Sequence, residues 1–323
     1  MTPSIPLDPE IGRQWDAVRR LLYGPDGPRL HAGNLAAARA ARQRLGRTLA
    51  TLPGVTHRDM EIATPAGPLT LAVFTPDQLA PDAPLVYWIH GGGMVLGDRY
   101  GVEETHPFML ATGAVVVSPE YRLAPEWPAP APLDDCYAGL QYVATHPESV
   151  GLTSPRIILG GTSAGGGLAA ATALRNRDQG DVNLAGLFLN CPMLDDRMTS
   201  PSSHQFDDTI LWTRSMNEFG WQSLLGHRWR SDDVTAYDAP ARAESLANLP
   251  PTFLEVGSAD VFRDEDVDFA QRMWAAGGER KRQRRQRREP GLQHPQAGHK
   301  EHDGQTHLVA TPGKDQHHQR IQS

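Results

Sequence analysis

One serine lies between glycines at a point where the chain changes period. Ser163 stands in Gly161-Thr162-Ser163-Ala164-Gly165, directly after the apolar run Ile157-Ile158-Leu159 and ahead of an Ala/Leu-rich stretch at 168–174. A strand that bends sharply into a helix leaves little room for side chains on either side of the bend. The serine is held up there with its oxygen exposed and the following amide free, the arrangement of a nucleophile elbow. Such an oxygen can attack an acyl carbon. Earlier in the chain, Leu85-Val86-Tyr87-Trp88-Ile89 ends in His90-Gly91-Gly92-Gly93. Bare amides in a glycine loop can hold the negative charge that develops on the attacked oxygen. Each motif alone is a weak signal, and the bland reading of Ser163 is a Gly/Ser helix cap. Both motifs together, in this order and each after an apolar run, favour acyl chemistry.

The elements that must carry these residues follow from the spacing. Runs at 85–89, 114–117, 157–159, 184–189 and 252–256 are short, continuously apolar and mostly separated by helical stretches. Strands buried on both faces read this way, so the sequence predicts an α/β fold with a mostly parallel sheet flanked by helices. Residues 57–64 and 69–74 alternate apolar and polar, which predicts an antiparallel pair turning at Pro65-Ala66-Gly67. Segment 1–50 reads as helical, with Trp15, Val18, Leu21 and Leu22 on one stripe and good helix formers over 36–49. It is expected to form an N-terminal cap over the sheet. Residues 197–247 interrupt the alternation with scattered aromatics (Phe206, Trp212, Phe219, Trp221, Trp229), as an inserted helical lid does. The main domain is expected over 51–278, ending in an amphipathic helix at 261–278.

Composition excludes several classes. The 323 residues suffice for one large domain. A net charge of −7 gives no reason to expect nucleic acid as a partner of the whole chain. Two cysteines, Cys136 and Cys191, make no disulfide framework and read as buried thiols in a reducing compartment. Residues 1–23 lack the pattern of a secretory leader, and no apolar run approaches the length of a membrane helix. The expectation is a cytoplasmic protein without membrane insertion. No histidine or cysteine spacing suits a metal, and no phosphate-binding loop is required, so no cofactor is expected.

After residue 278 the composition breaks. Residues 279–323 hold ten Lys/Arg against five Asp/Glu and six of the thirteen histidines, with few apolar positions. This segment carries +5, leaving −12 for the first 278 residues. It is expected to be a basic, low-complexity, disordered tail, because it buries too little apolar surface to offset its ordering entropy. A basic arm for an acidic surface is the less favoured reading. Arg, Gln, His, Pro and Gly are what a GC-rich gene yields out of frame, so a frameshift near codon 279 is the expected origin.

Four segments together resemble the hormone-sensitive-lipase-like esterases of the α/β-hydrolase superfamily. They are His90-Gly91-Gly92-Gly93, Glu120-Tyr121-Arg122-Leu123-Ala124-Pro125-Glu126, Gly161-Thr162-Ser163-Ala164-Gly165-Gly166 and Asp260-Val261-Phe262-Arg263-Asp264-Glu265. Thr162 replaces the family's usual Asp and Met94 its usual aromatic. The resemblance implies an α/β-hydrolase fold and a carboxylic ester hydrolase acting through an acyl-enzyme on short- to medium-chain small-molecule esters. Ser163 would be the nucleophile. Gly92, Gly93 and Ala164 would form the oxyanion hole, and Asp260 would be the acid that orients a histidine. Asp264 is the rival acid, and a helix N-cap is the structural alternative for Asp260.

The resemblance also places a histidine about thirty residues past the acid, after one more strand. Around residue 290 the chain offers His294, with His299 and His302 beyond, and no predicted strand precedes them. His90 belongs to the glycine loop, where the family uses it structurally. The last strand and helix are therefore expected to be missing or replaced, a sheet edge or core face uncovered, and activity impaired. The alternative class is a non-catalytic small-molecule-binding protein on the same scaffold, as in plant gibberellin receptors. An amidase is a third reading. A homodimer through a sheet edge is what the family often forms.

Overall fold

The computed structural model describes residues 30–49, 52–80, 82–180, 182–206, 212–280 and 305–312, with isolated helical positions at 10, 13, 18 and 20. Trp15, Leu21 and Leu22 of the expected N-terminal stripe lie outside the described residues, as do His294, His299 and His302.

Among the described residues nine strands form one sheet in the order β1-β2-β4-β3-β5-β6-β7-β9-β8. Strands β1 (Val55–Thr64) and β2 (Gly67–Pro76) pair antiparallel, with Thr64 opposite Gly67 across the predicted turn. Gly67 has φ +116°, a backbone conformation that side-chain-bearing residues rarely adopt. Strands β3 (Leu85–Ile89), β4 (Val115–Pro119), β5 (Ile157–Thr162), β6 (Leu184–Asn190) and β7 (Thr252–Gly257) are mutually parallel. Each apolar run of the sequence is therefore a strand, extended by at most three residues.

Helices α1 (Leu35–Leu49), α2 (His106–Thr112), α3 (Ala131–Thr145), α4 (Ala164–Gln179), α5 (Pro201–Gln205), α6 (Arg214–Leu225) and α7 (Arg263–Ala275) connect or overlie the strands. A large apolar core joins Leu71, Tyr87, Leu159 and Leu254 to Leu140 of α3, Leu168 of α4 and Phe269 of α7. A smaller one on the other face holds Phe74, Val86, Trp88 and Val116 beneath Met109 of α2. Among the described residues no helix is long and apolar enough to cross a membrane.

Three polar clamps fix the loops around the strand ends. Arg39 of α1 donates to the carbonyl oxygens of Val95 and Ala124, both at 2.8 Å, and forks onto Glu126. Arg122 donates its backbone N–H and two side-chain groups to the buried Asp135 of α3. The buried carboxylate of Asp196 receives Arg242 at 2.6 and 2.9 Å. Bidentate pairs of this kind hold geometry as well as charge. Two of the three use residues of the Glu120–Glu126 motif, which accounts for its place in the sequence.

The tail departs from expectation. Strands β8 (Gly278–Arg280) and β9 (Gln305–Pro312) lie where a disordered segment is predicted. β9 pairs antiparallel with β7, Thr252 opposite Ala310 and Gly257 opposite Gln305. The cause is local. Thr306, Leu308, Val309 and Thr311 form a short β-prone run in an otherwise polar tail, and the edge of β7 offers unpaired backbone groups. The last strand is thus replaced by an antiparallel one, and the remainder of 281–323 lies outside the described residues.

Candidate active site

The parallel pairing of β3 and β5 sets Ile89 opposite Gly161, so the chain leaves both strands side by side. The glycine loop after Ile89 therefore lies beside the serine corner after Thr162. A methyl group added at Gly91 would sit 3.4 Å from Cβ of Ser163. Ser163 has φ 55° and ψ −120°, a strained conformation for a residue with a side chain. Such strain costs on the order of 1–3 kcal/mol and persists only where surroundings enforce it. Enforcement is visible here. The Ser163 N–H donates to Asn190 O at 2.8 Å, and its carbonyl accepts from Met193 at 2.9 Å and Gly167 at 3.0 Å.

The side chain of Ser163 is half-buried, and its hydroxyl has no partner among the described residues. The amides of Gly92, Gly93 and Ala164 likewise donate to no protein acceptor there. Ala164 opens α4, so its amide is among the unsatisfied donors of a helix start and sits at the positive end of the helix dipole. Leu96 and Val95 donate to Gly92 O at 2.8 and 3.1 Å, which closes the glycine loop into a turn. Gly92 has φ +127° and Gly93 +61°. A side chain at Gly93 would collide with the Trp212 ring, and one at Gly220 of α6 would come 2.8 Å from Gly93 O. Residues of the 197–247 segment thus rest directly on the loop. Of the aromatics in this segment, Trp221 is fully buried, whereas half-buried Trp212 covers the glycines.

His90 is a buried prop. Its ring stacks on Tyr121 at 4.2 Å, and Nδ1 donates to Gly91 O at 2.9 Å. Burial lowers its pKa to about 4, so the ring is neutral at ordinary pH. The Tyr121 hydroxyl donates to His90 O at 3.0 Å. Thr162, where the resemblance leads one to expect a carboxylate, lies near Glu104, whose pKa burial raises to about 7. A carboxyl group therefore stands beside the elbow after all, contributed from a different segment. Both cysteines are free thiols, Cys136 buried and Cys191 half-buried.

Beyond the C-terminal end of β7, Asp260 accepts the Phe262 N–H at 2.9 Å, and its carbonyl accepts from Arg263. The N-cap of α7 is Phe262. Asp260 therefore braces the turn before the helix instead of capping it. Burial raises its pKa to about 6 against the opposing pull of the Phe262 N–H and Arg263. Among the described residues no histidine is recorded as its hydrogen-bond partner. Asp264 is already committed. Its carboxylate accepts from Ser202 N and Arg263 Nε, each at 2.7 Å, which ties α7 to α5 and holds its pKa low. Among the described residues, Asp260 is the one of the two rival acids with an unengaged oxygen.

Glu265 and Asp266 escape sequence reasoning. Glu265 Oε1 accepts from Leu194 and Asp195, anchoring the loop after β6. Asp266 is fully buried, and neither of its oxygens has a partner among the described residues. Burial, with Glu265 and Asp260 nearby, pushes its pKa well above the ordinary value. Asp260 and Asp266 both hold a proton more tightly in the fold than in the unfolded chain. Stability should then fall as pH rises from about 4 through about 6 and beyond. We expect a lower Tm at pH 8 than at pH 5, and Asp266→Asn to flatten that slope and add about 1–3 kcal/mol at pH 8. Thermal melts across this range check it, and a parent chain more stable at pH 8 than at pH 5 would contradict it. Among the described residues no group of three His, Cys, Asp or Glu side chains could hold a metal ion.

The chain matches the family model described as the alpha/beta hydrolase fold over residues 86–294. It is similar to "Esterase LipI" of Mycobacterium tuberculosis, 34% identical over 84% of this chain and 83% of that protein. "Carboxylic ester hydrolase LipN" of the same organism is 31% identical over 84% and 73% of the two chains. Among solved structures, "Bacterial Heroin Esterase" superimposes with a TM-score of 0.72 at 38% identity, covering 84% of this chain and 85% of that one. A hyperthermophilic esterase from Pyrobaculum calidifontis gives 0.74 at 27% identity, over 84% and 87%.

Proposed function

The chain belongs to the alpha/beta hydrolase family, in its hormone-sensitive-lipase-like esterase branch, and from that premise we propose a serine carboxylic ester hydrolase. Its relatives are named esterases and carboxylic ester hydrolases, and its own class is that of a carboxylesterase-type hydrolase. The supporting observation is the juxtaposition of a strained, half-buried Ser163 with three unengaged amides, those of Gly92, Gly93 and Ala164. In this reading Ser163 Oγ attacks the ester carbonyl. The carbonyl oxygen gains negative charge between those amides, the C–O bond to the alcohol breaks, the alcohol leaves carrying the proton lost from Ser163 Oγ, and an acyl group remains on Ser163. Water then releases the acid.

The substrates are small esters with short to medium acyl chains, bounded on one side by Trp212. Asp260 is the orienting acid of the proposed triad, and the partner it would orient is lacking among the described residues. Activity is accordingly impaired. A cytoplasmic location belongs to the same reading and is supported by the two free thiols. Incubation with p-nitrophenyl acetate, followed by peptide mass spectrometry, tests the assignment. An acetyl adduct on the peptide holding Ser163, absent from Ser163→Ala, is the expected result. Acetylation confined to other residues would remove the basis for a serine hydrolase.

A further inference from the structure

A peptide group is planar, with its C=O and N–H at opposite ends of one rigid unit. The Gly93 N–H is one end of the Gly92–Gly93 peptide. The other end, Gly92 O, accepts from Leu96 N–H at 2.8 Å and from Val95 N–H at 3.1 Å. Each of these donors belongs to a peptide whose own carbonyl is engaged in turn. In the Val95–Leu96 peptide, Val95 O accepts from Arg39 Nε at 2.8 Å. In the Met94–Val95 peptide, Met94 O accepts from Ala124 N–H at 2.9 Å. One unbroken line of hydrogen bonds therefore runs from the Arg39 guanidinium, through two peptide units, to the amide of Gly93.

Arg39 is well seated for this. Leu35 and Ala38 bury their side chains in the core and hold α1 in place. The other guanidinium N–H groups go to Ala124 O and to both oxygens of Glu126, each at 2.8 Å. A planar fork engaged on three sides has one orientation. Glu126 opposes the charge of Arg39, but its side chain is 55% exposed against 23% for Arg39, so water screens it more. Hydrogen bonds in a chain polarise one another, and a cation at the donor end strengthens those that follow. The N–H at the far end becomes a better donor to a developing negative charge.

We infer that Arg39 is a positioning residue for the oxyanion hole, fixing and polarising the Gly93 N–H through the Val95–Leu96 and Gly92–Gly93 peptides. The role of Gly93 rests on the ester-hydrolase reading, whereas the line of hydrogen bonds does not. Helix α1, which holds no residue of the proposed triad or oxyanion hole, thereby acts on the reaction. The effect belongs to the transition state. A ground-state ester carbonyl carries little charge, so loss of Arg39 should slow acylation more than it weakens ester binding.

The test times acetylation of Ser163 by p-nitrophenyl acetate, using mass spectrometry of the full chain over a range of ester concentrations. Arg39→Met keeps an unbranched apolar stem and removes the donors. Its limiting acetylation rate should fall about tenfold or more, with the half-saturating ester concentration within about twofold of the parent. Arg39→Lys keeps a cation and should recover part of the loss. Glu126→Gln removes the ion pair but not the bond to Val95 O, and should stay within about twofold. Amide hydrogen exchange involves no ester and supplies a second readout. Arg39→Met should speed exchange of the peptide spanning Val95 and Leu96 about tenfold and leave β5 at 157–162 unchanged. A parent chain that is not acetylated at Ser163 would remove the ester-hydrolase reading and this role with it. A parent that is acetylated, with Arg39→Met within about twofold of it, would overturn the inference alone. Faster exchange in β5 to the same degree would also overturn it, since Arg39 would then hold the fold and not the amide. Equal losses in Arg39→Met and Glu126→Gln would assign the effect to the docking of α1 and overturn it as well.

Discussion

Hydrolysis of short-acyl p-nitrophenyl esters by this chain should fall on the order of 10⁶-fold below that of a complete serine hydrolase, leaving roughly 10³–10⁴ over water, and Ser163→Ala should abolish acylation of that peptide while lowering this residual turnover little. The argument turns on where a proton can go. A serine hydroxyl is a weak nucleophile unless a base takes its proton as the oxygen attacks. The Ser163 hydroxyl has no hydrogen-bond partner among the described residues, and among them Asp260 bonds only to the backbone of its own turn. His90 is close in sequence to the glycine loop, but Nδ1 is spent on Gly91 O and burial depresses its basicity to about 4. It can prop the loop but cannot act as base. A 10⁶-fold loss corresponds to about 8 kcal/mol of transition-state stabilisation. What survives is the contribution of the oxyanion donors, each worth about 10²–10³ in rate. Steady-state kcat/KM for p-nitrophenyl butyrate, measured beside an esterase with an intact triad, checks the figure. Turnover within tenfold of that enzyme would show that a base reaches Ser163 from outside the described residues.

The parts of this site that were legible in the sequence are those fixed by local geometry. A strand, a tight corner and a helix must follow one another for Ser163 to be raised, and only small neighbours permit the corner, so the requirement is written in consecutive residues. The same holds for the glycine loop after β3 and for the parallel strands, which read as apolar runs because both faces meet protein. Contacts across long separations left no such trace. Nothing in the sequence singles out Arg39 as the clamp on Val95 and Ala124, because the pairing depends on how α1 crosses the loop. What distinguishes Asp264 from Asp260 is Ser202, more than fifty residues earlier, whose N–H donates to Asp264. Glu104 beside Thr162 is of the same kind, a carboxyl supplied from another segment. Strand β9 was missed because its β-prone run is short and sits in a polar tail, where composition outweighs it.

Gly165→Ala should unfold the elbow and cost about 3 kcal/mol or more of stability, with loss of acetylation at Ser163. The backbone of Gly165 lies in ordinary helical conformation in the first turn of α4, so the cost does not arise from glycine's freedom of φ. It arises from contact. A methyl group there would fall on the carbonyl oxygens of Ile89 and His90, inside any allowed approach. Those oxygens belong to the end of β3 and the start of the glycine loop, which are pinned by pairing with β5 and by the Tyr121 hydroxyl. Neither side can retreat without separating the serine corner from the loop it faces. Gly151→Ala provides the comparison. Gly151 has φ +81° and open space around its would-be methyl, so only the backbone penalty of about 1 kcal/mol applies. Urea denaturation of the two variants should separate them by about 2 kcal/mol or more, with Gly151→Ala still acetylated at Ser163. Equal stability of the two would mean that the close approach of β3 to the first turn of α4, which brings the glycine amides to Ser163, does not exist in solution.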